Sequence, residues 1–167
     1  MLVPGLLQTE QYARAVLRAE PGATEEKVEE ALKARLRRQS IYGRPNPPMV
    51  QFVMDEGILY RPVGGEAVMY QQLTHLLTMM DHPNITIQVV PLSVGVNCGL
   101  MGGFAIAHVP RSPDTAYLSA PKCGTPSLTA QKRANSTSNV TQSPWRHVGG
   151  FLLLDQMSCL LRHKLSA

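Results

Sequence analysis

Long apolar runs are missing from this sequence. No stretch approaches the roughly 20 residues that a helix needs to cross a bilayer, and Met1-Leu2-Val3-Pro4-Gly5 lacks the basic segment and apolar core of a secretory leader. The chain therefore reads as cytoplasmic, with no membrane association expected. Cysteine is scarce too: Cys98, Cys123 and Cys159 are widely separated, odd in number and never spaced as C-x-x-C, which excludes a zinc ribbon and a disulfide scaffold. Acidic residues nearly vanish after Asp81, where only Asp114 and Asp155 remain. The formal net charge of +4 is thus a property of the tail. Its cations, Lys122, Lys132, Arg133, Arg146, Arg162 and Lys164, are scattered among Ser, Thr, Asn and Pro, not gathered on one periodic face, so no direct DNA binding is expected.

What is present is an ordinary globular balance, 44% hydrophobic and 17% charged over 167 residues. Thr9 can cap a first helix in which Ala13, Val16 and Leu17 form an apolar stripe while Glu10, Arg14 and Arg18 stay solvated. Pro21-Gly22 ends it. A second helix has Thr24 as N-cap, Glu25 and Glu26 in its first turn, a stripe of Val28, Ala31, Leu32 and Leu36, and Arg35, Arg37 and Arg38 near its end, so its charges complement the helix dipole. The cluster from Lys33 to Arg38 could meet phosphate, but its place at a helix C-terminus already accounts for it. Proline lacks an amide donor, and Gly43 to Pro48 cannot continue the helix.

Beyond that linker, Met49 to Met54 reads as a strand with Val50, Phe52 and Met54 on one face, followed by a turn or short helix over Asp55 to Tyr60. Gly64-Gly65 opens a third helix on which Met69, Leu73, Leu76, Leu77 and Met80 recur at helical intervals, and Asp81-His82-Pro83 stops it. It should lie across a sheet. Ile85, Ile87 and Val89 alternate with polar residues in a second strand, and Phe104 to Val109 with Thr115 to Leu118 predicts a hairpin. Between them lies a glycine-rich loop, Gly95 to Gly103, whose Gly99 to Gly103 run reads as a flexible turn, since it lacks the lysine of a P-loop. Ser119 to Pro144 has neither periodicity and is expected to be disordered, and Phe151 to Leu165 has the pattern of a terminal amphipathic helix through Leu153, Met157, Leu160 and Leu161.

These readings give an α+β fold in which amphipathic helices pack on a small, mainly antiparallel sheet. The domain spans 1–118, with an irregular tail over 119–167.

Three segments carry a resemblance. Val3 to Ala13 (VPGLLQTEQYA), Met54 to Gly65 (MDEGILYRPVGG) and Asn84 to Leu92 (NITIQVVPL), in this order and spacing, resemble the uncharacterised domain that follows an Xre-type helix-turn-helix in actinobacterial regulators, often described as antitoxin-like. The resemblance implies a cytoplasmic regulator that binds a small molecule or a small protein partner. Members carry a DNA-binding domain ahead of the Val3-Pro4-Gly5 segment, where this sequence starts, so a separately encoded helix-turn-helix domain is an expected partner. From Pro121 onward the composition departs from the strand and charged helix the family implies. An altered reading frame or a decayed terminus is the expected cause.

No catalytic centre can be assembled from the residues. Asp55 and Glu56 are adjacent, facing opposite sides of a strand or lying about 100° apart on a helix, which does not suit a general acid and base. With Arg61 they are the candidate ligand- or partner-binding residues, against a plainer role as caps and internal pairs of the turn. His75, His82 and His108 have no companion at ligand spacing, so neither metal nor cofactor is expected. Cys98 has no local base. Met69, Met79, Met80 and Met101 read as core filling before an adaptable groove. The competing functions are direct nucleic-acid binding through the basic tail and, behind it, a small hydrolase.

Overall fold

The computed structural model describes residues 1–112 and 115–118. The expectations for Ser119 to Pro144 and Phe151 to Leu165 lie outside the described residues. Those within reach divide into two units, residues 2–92 and, with Met1, residues from Ser93 on.

In the larger unit, a 3-10 turn at Gly5–Leu7 leads into α1 (Glu10–Arg18) and α2 (Glu25–Gln39). Both helices begin where a threonine can satisfy an orphan amide: Thr9 Oγ1 accepts from Tyr12 N–H at 3.3 Å, and Thr24 Oγ1 from Lys27 N–H at 3.4 Å. Ala13 and Leu17 of α1 bury against Val28 and Leu32 of α2, with Ala31 and Leu36 alongside. Arg14 reaches across this pair. It forms an ion pair with Glu29 and others with Glu10 at 3.1 Å and Glu25 at 3.6 Å, while Arg18 holds Glu25 at 2.6 Å. The arginines expected to be merely solvated thus join the two helices.

β1 (Val50–Asp55), α3 (Glu66–Met80) and β2 (Ile85–Val90) form a βαβ unit, with β1 and β2 parallel and Val50 in register with Ile85. Period two explains the strands: Phe52 and Met54 of β1, with Ile85, Ile87 and Val89 of β2, turn inward onto Met69, Leu73 and Leu76 of α3. Leu77 and Met80 flank that stripe, partly buried. Gly64 and Gly65, at φ 75° and 93°, supply the left-handed backbone from which α3 starts, and a Cβ on Gly64 would stand 3.0 Å from Ala15.

The smaller unit holds 3-10 turns at Leu92–Val94 and Cys98–Met101, the first of which begins one residue before the division, and an antiparallel hairpin of β3 (Phe104–Ala107) and β4 (Thr115–Leu118). The Gly99 to Gly103 run, read as a flexible turn, overlaps the capped 3-10 turn Cys98–Met101. Asn97 Oδ1 accepts from Gly99 N–H at 3.0 Å.

The α+β class stands. A mainly antiparallel sheet does not describe it, because antiparallel pairing is confined to β3 and β4. The cause is length. A 15-residue helix rises about 22 Å. A six-residue strand spans about 20 Å. The α3 crossover therefore returns the chain to the start of β1, and β2 must run parallel to it. No helix among the described residues is long and apolar enough to cross a membrane.

Candidate partner-binding site

The carboxyl ends of the parallel strands lie side by side, Asp55 in register with Val90. In open sheets of parallel strands, that edge is where ligands are bound, since the chain leaves it in loops and exposes turn ends. All three residues singled out from the sequence stand at or just beyond it.

Asp55 closes β1 and caps the 3-10 turn Glu56–Leu59, its Oδ1 accepting from Gly57 N–H at 2.9 Å. A Cβ on Gly57 would lie 2.8 Å from that same oxygen, so the Asp-x-Gly order is a steric requirement of the cap. Ile58 and Leu59, both buried, anchor the turn to the core.

Glu56 acts over a longer distance. Its Oε2 accepts from the backbone N–H of Leu92 at 2.8 Å, tying the exit of β2 to the exit of β1. Its Oε1 accepts from the Tyr60 hydroxyl at 2.9 Å, and this bond, reinforced by partial burial and by the carboxylate's charge, raises the phenol above its usual range. Arg61 follows and is exposed. It makes no ion pair with Asp55 or Glu56 among the described residues. Its charge is felt instead by Tyr12, whose phenol is pushed up by burial and drawn down by the Val3 N–H and by Arg61. The two acids are brought together as parts of one turn, Arg61 follows exposed Tyr60 and is itself exposed, and Leu92 is exposed at the exit of β2.

A second polar cluster was not identified from the sequence. Gln8 and Gln72 are buried, at 3% and 0% exposure. Gln72 of α3 grips the backbone before α1 at both ends of a residue step: its Oε1 accepts from Thr9 N–H at 2.8 Å and its Nε2 donates to Leu7 C=O at 2.7 Å. Gln8 Nε2 donates to Val3 C=O at 2.6 Å, while its Oε1 accepts from Arg35 at 2.5 Å. From α2, Gln39 Nε2 donates to the carbonyls of Gly5 and Gln8. A non-helical segment can be buried only if its amides and carbonyls are paired, and these side chains pair them. The signal was available: Gln72 sits between Met69 and Leu76 on the apolar stripe, where a polar residue needs a partner. This cluster fixes Val3 to Thr9.

His75 is half-buried, and burial lowers its pKa. Among the described residues no three His, Cys, Asp or Glu side chains gather at metal-binding geometry.

Comparison with known proteins adds one finding: the family described as a domain of unknown function, DUF5753, matches residues 1–142. The chain belongs to the DUF5753 family. No curated protein and no solved structure matches it. The DUF5753 match covers every element described above, including both exits of the parallel pair and the hairpin, and extends past Leu118 into the Ser- and Thr-rich stretch.

Proposed function

We propose that this DUF5753 domain is a regulatory module that binds a small molecule or small protein at the carboxyl edge of β1 and β2, a separately encoded helix-turn-helix polypeptide being such a protein, and thereby sets the state of the DNA-binding module. One observation carries the reading. Tyr60, Arg61 and Leu92, a polar aromatic, a free-standing cation and an exposed apolar side chain, are displayed on two turns that Asp55 and Glu56 hold in fixed geometry. Aromatic and arginine side chains presented on a rigid base are the usual anchors of recognition. The resemblance of VPGLLQTEQYA, MDEGILYRPVGG and NITIQVVPL to the domain that follows an Xre-type helix-turn-helix supplies the regulatory context.

The chemistry is that of binding. A ligand changes the output only by the difference in its affinity for two states, and Glu56 offers a place for that difference, since it bonds a backbone group 36 residues away in the chain. A partner that recruits the Glu56 carboxylate would release Leu92, and one that reinforces the bond would tighten both exits. This mechanism requires no catalytic step.

The test is fluorescence anisotropy of the operator duplex with the helix-turn-helix polypeptide of the same locus, with and without the full chain. The reading expects the chain to shift operator affinity, and Arg61→Ala to abolish the shift. No shift in either case would refute it. Binding of the duplex by the chain alone, weakening steeply with salt, would instead assign it direct phosphate contacts.

A further inference from the structure

The charges of α2 are segregated in a way that its own fold does not use up. Glu25 and Glu29 face α1, where Arg14 and Arg18 pair them. On the opposite side stand Glu26, Glu30, Lys33 and Arg37, all exposed and with no ion-pair partner among the described residues. At 3.6 residues per turn these four fall within an arc of about 60°, pointing away from buried Val28 and Leu32. Within the helix the stripe is only partly compensated: Glu30 and Lys33 are opposite charges at i,i+3, but Glu26 and Glu30, and likewise Lys33 and Arg37, are like charges at i,i+4, where they repel.

The stripe reads acid, acid, base, base, and its spacing is symmetric about a point between Ala31 and Leu32. Laid antiparallel on a copy of itself, Glu26 meets the copy's Arg37 and Glu30 meets the copy's Lys33. A two-fold axis repeats each pairing, so every one of the four side chains gains an opposite charge. We infer that two copies of this chain associate through antiparallel α2 helices along the Glu26, Glu30, Lys33, Arg37 stripe. Helix-dipole complementarity explains acids early and bases late, but it does not require them to share one outward stripe. Exposed ion pairs are individually weak, so the association is weak and salt-sensitive. It stands independently of the proposed regulatory role.

Sedimentation velocity of the full chain tests it. The wild type should move toward the mass of a dimer as concentration rises in low salt, and revert to monomer in high salt. Glu30→Lys and Lys33→Glu should each weaken self-association about tenfold, with unchanged far-ultraviolet circular dichroism. The decisive arm is the equimolar mixture of the two variants, in which each copy offers what the other lost. It should form a heterodimer at concentrations where each variant alone has fallen back to monomer. A mixture that stays monomeric, or a wild type that stays monomeric in low salt at high concentration, overturns the inference.

Discussion

Between Val3 and Val90, apolar stripes of period two and period 3.6 bury one another; from Phe104 to Val109 the apolar side chains stay exposed. Leu76 is 0% exposed and Ile106 54%, although both sit in segments with a clear apolar pattern. Alternation makes a strand, but burial needs a second layer. The pair β1 and β2 has α3 laid on it, whereas β3 is exposed along its whole length. A two-stranded hairpin has too few neighbours to be stable by itself. The lesson is that patterning sets secondary structure locally, while stability is decided by what the pattern finds to cover.

The contrast can be broken most directly by matched deletions. Leu76→Ala should cost about 2–5 kcal/mol in urea unfolding, because it opens a cavity in the core of the larger unit. Ile106→Ala should change it by about 0.5 kcal/mol or less, as surface substitutions do. Equal costs would show that the hairpin shares the same cooperative core. Gln72→Ala comes next, at about 2–3 kcal/mol, since the Thr9 N–H and Leu7 C=O would be left unpaired in a buried segment. Glu56→Ala should cost about 1 kcal/mol, with faster hydrogen exchange at the Leu92 amide than elsewhere.

The smallest effect at neutral pH concerns Tyr42, whose buried hydroxyl has no hydrogen-bond partner and whose pKa burial pushes up to about 12. A raised folded-state value means that stability is present below the unfolded value of 10 and is lost as pH rises toward 12. Tyr42→Phe should therefore reduce the loss between pH 10 and 12, to which Tyr12 and Tyr60 also contribute, while leaving neutral stability equal or slightly higher, measured as the thermal midpoint against pH.

Much of the fold was legible. Thr9 and Thr24 announced the starts of α1 and α2 because a cap is a local bargain between one hydroxyl and one nearby amide. Strand direction could not be read from the strands, since period two is the same in parallel and antiparallel sheets; the signal lay in the long helix between them, whose length implies a parallel return. Asp55 could be read as a cap from the Asp-x-Gly order. The Glu56 bond to Leu92 could not, because its partner is a backbone group far along the chain with no side-chain signature. Gln72 was visible as a polar residue on an apolar stripe, yet its two partners were main-chain atoms, which carry no identity in a sequence.

The central claim is that recognition occurs at the carboxyl edge of β1 and β2. Hydrogen exchange of the full chain, alone and with the helix-turn-helix polypeptide of its locus, tests it most directly. The account predicts new protection confined to peptides covering Asp55 to Arg61 and Pro91 to Val94. Protection appearing elsewhere while these peptides stay unchanged would contradict it.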